Sequence, residues 1–125
     1  MKVRINKQSI RFRLDKVDID ELAKSNRILQ STQLGKGTSM TLEYELIFNP
    51  LNDFQISFQN NRISVSIPMK IGREWVETEN VGFDRTLELN EQQKIYVLIE
   101  KDFQCLVPRP NENEENNFEN PLKVS

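Results

Sequence analysis

The chain has 125 residues and a formal net charge of −2, with 17 basic and 19 acidic side chains. With a pI of about 5.3, this balance argues against nucleic acid or an anionic membrane surface as a partner. Histidine is absent, which removes the commonest general base and the commonest transition-metal ligand. One cysteine excludes an internal disulfide, and the longest apolar run, Ile95 to Ile99, is far shorter than a membrane span of roughly 20 residues. We therefore expect a cytoplasmic protein.

Composition divides the chain into two parts. Residues 1–107 have the length and patterning of a single α+β domain. From residue 108 the composition changes, and residues 111–117 are all Asn or Glu. Such a segment cannot bury enough apolar surface to offset the entropy of ordering, so we predict an acidic, flexible tail over 108–125.

The N-terminal residues alternate between apolar and basic side chains from 2 to 14, which predicts half-buried β-structure. The residues Asn6-Lys7-Gln8 fit either a turn between two short strands or a bulge in one bent strand. Residues 15–26 then read as a helix. Asp18 is the predicted N-cap, with Glu21 completing a capping box and Val17 with Leu22 forming a hydrophobic staple.

Two strands are predicted next, over 27–34 and 40–48, with Glu43 and Glu45 on the polar face of the second. The clearest motif follows at residues 54–67, Phe-Gln-Ile-Ser-Phe-Gln-Asn-Asn-Arg-Ile-Ser-Val-Ser-Ile. Asn60-Asn61 suits a type I′ turn, because Asn tolerates the positive φ that both central residues need. This turn pairs Phe58 with Ile63 and Ile56 with Val65, so the apolar side chains share one face.

The remaining elements are a second helix from Pro68, short strands at 81–83 and 87–89, and a strand over 94–103. Pro68 suits the first turn of a helix, and Trp75 could anchor that helix on the sheet. The run Ile95-Tyr-Val-Leu-Ile99 is apolar on both faces, which predicts a central strand. No internal repeat is evident. Together these elements predict an α+β fold with one antiparallel, curved or partly closed sheet of about six to eight strands and two short helices.

The cluster of greatest functional interest is the basic face formed by Lys2, Arg4, Arg11 and Arg13. Turned into a concavity, this face could contact phosphate groups through charge-assisted bidentate hydrogen bonds. The alternative is a solvated outer face whose charges pair with Glu43, Glu45 or Glu100 on neighbouring strands.

Three further residues are candidates for an interaction surface: Trp75, Cys105 and Phe118. An exposed Trp75 would act as an interface hot spot, whereas a buried one would anchor the second helix. Cys105 has no histidine to activate it, so we expect an inert or partly exposed thiol. Phe118 is an apolar residue of the tail that could dock onto the domain. No catalytic residue, cofactor or metal site is predicted.

Several segments resemble a family of small bacterial proteins without an assigned function. They are Met1 to Ile5, Ser9 to Leu14, Arg62 to Pro68, Trp75 with Val81-Gly-Phe83, Ile99 to Leu106, and Asn120-Pro121. The resemblance implies a shared fold and a bacterial cytoplasmic setting, and it carries over no catalytic residue.

The sequence favours a non-enzymatic binding or interaction module with an unknown protein partner. The acidic tail and an exposed sheet edge are its candidate contact surfaces. The alternative is a binder of small anionic phosphate ligands, or a phosphohydrolase, that uses the basic face.

Overall fold

The computed structural model describes residues 1–103 and Phe118. Within them the chain forms eight strands and two helices, which confirms the α+β class. In chain order the elements are β1 Lys2–Asn6, β2 Ser9–Leu14, α1 Lys16–Ser25, β3 Arg27–Gln33, β4 Thr41–Asn49, β5 Gln55–Gln59, β6 Arg62–Pro68, α2 Met69–Glu77, β7 Gly82–Glu88 and β8 Lys94–Lys101. Neither helix of this described part is long and apolar enough to cross a membrane.

The strands form two four-stranded sheets, in the orders β1-β2-β8-β7 and β3-β4-β6-β5. The prediction of one antiparallel, curved or partly closed sheet is therefore wrong. Each sheet is mixed, because its two antiparallel hairpins join through a central parallel pair, β2 with β8 and β4 with β6. Hairpin pairing is local and visible in sequence, whereas these parallel pairs join strands that do not follow each other in the chain.

The described residues fall into two compact units. Unit 1 contains Met1–Asp20 and the chain from Val81 onward, and unit 2 contains Glu21–Asn80. The single domain expected over residues 1–107 stays a prediction. The tail expected over 108–125 lies outside the described residues, except for Phe118.

The two units share one internal topology, and their parallel pairs share one register. In unit 1 Ser9 lies opposite Tyr96, and in unit 2 Arg62 lies opposite Glu43. Residues 9 and 62 are 53 positions apart, and so are residues 43 and 96. The chain is therefore a ββαββ pattern repeated twice, in which the first hairpin of each half pairs with the second hairpin of the other half. We call positions related by this offset equivalent.

The β5–β6 hairpin has the register read from the sequence, with Phe58 opposite Ile63 and Ile56 opposite Val65. Its turn residues Asn60 and Asn61 have φ values of 50° and 61°, which confirms the type I′ geometry. The equivalent turn between β1 and β2 has Lys7 at a φ of 51°. Residues 2–14 are thus two strands joined by a turn, and not one bent strand with a bulge.

The N-cap of helix α1 lies three residues before the predicted one. The Asp18 N–H donates to Asp15 Oδ1 at 2.9 Å, and the Asp15 N–H donates to Asp18 Oδ2 at 3.0 Å. This is a reciprocal capping box with Asp15 at the N-cap and Asp18 at N3, so the prediction of Asp18 as the N-cap is wrong. Val17 is exposed and forms no staple.

Each unit buries apolar side chains. In unit 1, β2 and β8 contribute Phe12, Leu14, Val97 and Ile99, all fully buried. In unit 2, α2 packs on β4 and β6 and buries Trp75 completely. The strands predicted at 81–83 and 87–89 are one strand, β7, and β8 is central as its two-sided apolar run indicates.

Candidate functional site

The basic residues predicted from sequence share one face of the unit 1 sheet. The antiparallel β1–β2 register places Lys2 opposite Arg13, and Arg4 opposite Arg11. Side chains alternate between the faces of a strand, so Val3 and Phe12 point to the other face. The parallel register of β2 with β8 then places Glu100 beside Arg13.

Three of these four cations are neutralised by two carboxylates of unit 1. Asp102, which is almost fully buried, lies 2.8 Å from Lys2 Nζ through Oδ2 and 3.1 Å from Arg13 Nη2 through Oδ1. Glu100 Oε1 is paired with the Nε and Nη2 atoms of Arg11. The alternative interpretation, in which the basic face pairs with Glu100, thus describes Arg11 and also Arg13, whose Nε lies 3.5 Å from Glu100 Oε1. Asp102 is a partner that the sequence did not indicate.

Arg4 differs from its neighbours. Its side chain is exposed, and it makes no ion pair or side-chain hydrogen bond with any other described residue. It lines a pocket of about 180 Å³. The other lining residues are Asn6, Ser9, Ile10, Arg11, Tyr96 and Leu98.

Tyr96, at the edge of this pocket, donates its hydroxyl hydrogen to Asp84 Oδ2 at 2.6 Å. This hydrogen bond is the largest cause of a raised pKa for Tyr96, and the negative charges of Asp84 and Glu100 act in the same direction. The phenol therefore stays neutral and remains a donor to Asp84.

The equivalent position of unit 2 holds a pocket of about 330 Å³ with the opposite charge character. It is lined by Glu43, Glu45, Ser57, Gln59, Asn60, Arg62 and Ser64. By the 53-residue offset, Ser57 and Ser64 stand where unit 1 has Arg4 and Arg11. Two arginines of the unit 1 pocket are thus replaced by serines in the unit 2 pocket, which also contains two carboxylates and the guanidinium group of Arg62.

The Glu45 carboxylate is held in place by three side chains. Ser64 Oγ donates to its Oε1 at 2.7 Å, Arg27 Nε donates to its Oε2, and Arg62 Nη1 lies 3.9 Å away. Burial by itself would raise the pKa of Glu45. The hydrogen bonds from Ser64 and Arg27, with the charges of Arg27 and Arg62, outweigh burial and leave this pKa below its ordinary value.

A third pocket, of about 340 Å³, is apolar and lies in unit 2 beside Phe58 on β5. Leu34, Met40 and Phe58 line it and are 71%, 56% and 67% exposed, and Leu42 lines it as a partly buried residue. We call these four residues the apolar patch. All four residues lie within strands that the sequence predicted. The alternation of apolar and polar residues cannot show, however, that these apolar side chains remain exposed to solvent.

The loop that carries Leu34 and Met40 is fixed by hydrogen bonds. The N–H groups of Leu34 and Gly35 donate to the Met40 carbonyl at 2.8 and 3.2 Å. The side-chain amide of Asn61 donates to the Ser39 carbonyl at 2.8 Å, which ties this loop to the β5–β6 turn. The pocket is therefore preformed.

The other three candidate residues do not form a common surface. Trp75 is fully buried, the position that suits an anchor of α2, and it offers nothing to a partner in this conformation. Phe118 packs edge-to-face on Phe103 with ring centroids 5.9 Å apart, and its N–H donates to the Asp102 carbonyl at 2.7 Å. Cys105 lies outside the described residues.

Within the described part of the chain, no group of three or more Cys, Asp or Glu side chains is placed to hold a metal ion. A family model described as "Family of unknown function (DUF7009)" matches residues 1–122. Searches of curated proteins and of solved structures gave no match. The match covers nearly the whole sequence, so the chain belongs to the DUF7009 family, whose function is unknown.

Proposed function

We propose that this protein is a non-enzymatic interaction module that binds an extended, apolar segment of a partner protein along β5. The observation that carries the proposal is the composition of β5. Four strands lie at sheet edges in the described residues: β1, β7, β3 and β5. Among them β5, Gln-Ile-Ser-Phe-Gln, is the one without a charged residue.

An exposed edge strand presents unpaired N–H and C=O groups that can pair with another chain. Natural proteins usually block such an edge with charged side chains, proline or a bulge. The equivalent edge of unit 1, β1, carries Lys2 and Arg4, whereas β5 has Gln55 and Ser57 at those positions. Strand β5 therefore lacks the charges that would oppose addition of a strand.

The apolar patch supplies side-chain recognition beside this edge. Scattered exposed apolar residues are ordinary, but a contiguous group marks an interaction surface. A volume of about 340 Å³ lies at the lower end of the range for ligand-binding pockets, enough for one or two apolar side chains. A segment added to β5 would hydrogen-bond through its main chain and place alternate side chains towards Phe58, as in β-strand addition.

We further propose that the setting is a bacterial cytoplasm and that neither nucleic acid nor a membrane is the partner. The sequence resemblance supports the bacterial origin. The single cysteine suits a reducing compartment, and the net charge of −2 gives no general attraction to polyanions.

The test is selection of linear peptides from a random display library against the purified protein, followed by calorimetry with the selected peptides. Phe58→Ser removes the one aromatic side chain of the apolar patch, and burial of such a side chain is worth about 1.5–3 kcal/mol. We expect binding to weaken roughly 10- to 100-fold while the fold is retained, because Phe58 is 67% exposed.

Leu51→Ser is the matched control, since Leu51 is 66% exposed in unit 2 but does not line the pocket. This variant should bind selected peptides as the wild type does. Selected peptides that bind Phe58→Ser and the wild type equally would contradict the proposal, and so would a selection that enriches no peptide. Gln59→Lys places a charge on the edge itself and should weaken peptide binding without touching the pocket.

A further inference from the structure

We propose that the pocket between Arg4 and Arg11 in unit 1 is a second site, which binds the phosphate group of a small molecule. The first line of support is local charge. Arg4 and Arg11 lie directly opposite each other on an antiparallel pair, where side chains are roughly 5 Å apart at Cβ and like charges repel. An anion between them removes that repulsion.

None of the described carboxylates on this face pairs with Arg4. Glu100 is engaged by Arg11, and Asp102 by Lys2 and Arg13. Asp84, which lies on the same face two strands from Arg11, accepts the hydrogen bond from Tyr96. Arg4 is left without an ionic partner among the described residues.

Hydrogen-bond donors are available on both sides of the pocket. Glu100 uses Nε and Nη2 of Arg11, which leaves Nη1 without a partner among the described residues. All the guanidinium nitrogens of Arg4 are likewise without a partner among the described residues. The side-chain amide of Asn6 is a further hydrogen-bond donor. Planar guanidinium groups bind phosphate oxygens in pairs, and the doubly charged form of phosphate suits two such groups better than a carboxylate does.

The size of the pocket restricts the ligand. At about 180 Å³ it is smaller than the roughly 300 Å³ at which pockets for whole drug-sized molecules begin. It therefore accommodates one phosphate group with the first atoms attached to it. Leu98 and the ring of Tyr96 form an apolar wall for those atoms, and the rest of the molecule would extend into solvent.

Unit 2 provides an internal comparison. Its equivalent pocket has Ser57 and Ser64 in place of the two arginines. It contains Glu43 and Glu45, and its one arginine, Arg62, is paired with these carboxylates. The same backbone frame thus carries a cationic pocket in one unit and a carboxylate-containing pocket in the other. We therefore expect an anion to bind the unit 1 pocket in preference to the unit 2 pocket.

The test is thermal unfolding of the full chain in inorganic phosphate and in chloride at equal ionic strength, so that screening is constant. Phosphate should raise the midpoint of the wild type, because a ligand that binds only the native state stabilises it. Arg4→Gln should weaken phosphate binding roughly 10-fold or more, the loss expected for a charge-assisted bidentate contact. Lys36→Gln removes the same charge from an exposed loop of unit 2 and should leave the shift intact.

Two additional arms separate the phosphate site from general attraction of anions. Arg4→Lys keeps the positive charge but removes the planar guanidinium group that can donate two hydrogen bonds to phosphate. This variant should retain only part of the increase in unfolding midpoint that phosphate causes. Acetate at the same ionic strength should give a smaller shift than phosphate. In amide NMR spectra, phosphate should move the resonances of Asn6 and Ser9 and not those of Ser57 and Arg62.

Three results would overturn the proposal. They are no phosphate shift in the wild type, an equal shift in Arg4→Gln, and resonance changes confined to unit 2. None of them bears on peptide binding at β5, because the two sites share no residue.

Discussion

Gly72 in α2 should resist replacement by alanine, although alanine is the better helix former. Alanine in a helix interior is favoured over glycine by about 1 kcal/mol. A Cβ at position 72 would lie 2.5 Å from Cδ1 and 2.6 Å from Cζ of Phe48, and nearer still to Cε1. Carbon atoms in contact prefer about 3.5–4.0 Å, so the helix or the ring must retreat by about 1 Å.

The Phe48 ring has little room for this retreat, because it is 5% exposed in the core of unit 2. Overpacking of a core costs about 1–3 kcal/mol, which exceeds the gain in helix propensity. Subtracting the gain in helix propensity, we expect Gly72→Ala to lower the free energy of unfolding by up to about 2 kcal/mol. Glu74→Ala, at an exposed position of the same helix, should change it by less than about 0.5 kcal/mol.

Urea unfolding followed by the fluorescence of Trp75 measures these differences directly. Phe48→Leu should lower stability by itself but should remove most of the penalty of Gly72→Ala in the double variant. The coupling free energy of this cycle should be at least about 0.5 kcal/mol, as for residues in contact. Gly72→Ala at or above wild-type stability would refute the packing of α2 on Phe48.

Three other predictions concern charges and the docked aromatic residue. Because the pKa of Glu45 is lowered on folding, its contribution to stability is present above the ordinary value of 4.5 and is lost as the pH falls through the folded value. The advantage of the wild type over Glu45→Gln in urea unfolding should therefore shrink as the pH drops below about 4.5, and a constant advantage would contradict this coupling. In ultraviolet titration, Asp84→Asn should bring the raised pKa of Tyr96 back towards 10.0, because the largest cause of the shift is removed. Phe118→Ala should lower the free energy of unfolding by about 0.5–1.5 kcal/mol through loss of the edge-to-face contact with Phe103, and unchanged stability would show that this contact contributes nothing.

The features that could be predicted from the sequence are those set by neighbouring residues. The β5–β6 register followed from Asn60-Asn61 and the alternation around it, and the central place of β8 from its two-sided apolar run. The N-cap of α1 is a local feature that was predicted wrongly, because Asp15 and Asp18 both suit an N-cap. The reciprocal hydrogen bonds between them decide for Asp15.

The pairing of hairpins into two sheets could not be predicted, because the parallel pairs join strands that do not follow each other in the chain. The duplication was hidden for a related reason. Equivalent positions share apolar character but seldom identity, as Leu22 and Trp75 show, both fully buried on their helices. A comparison of the two halves at an offset of 53 for burial pattern, rather than for identity, was the signal that could have shown it.

The candidate sites were predicted in part. Alternation placed Arg4 and Arg11 on one face. The register of β2 with β8 sets Glu100 beside Arg13, and the side-chain contacts show that Glu100 also pairs with Arg11. The apolar patch was not predicted. The strand pattern assigns Phe58 to an apolar face, but it does not show which residues of that face are buried by other elements and which stay exposed.

Binding of a partner segment along β5 is tested most directly by NMR of the complex with a selected peptide. We expect intermolecular contacts between the peptide main chain and Gln55–Gln59, new protection of β5 amides from hydrogen exchange, and resonance changes at Leu34 and Met40. Contacts that map instead to β1, β3 or β7, with β5 unchanged, would contradict the assignment of this edge as the interaction surface.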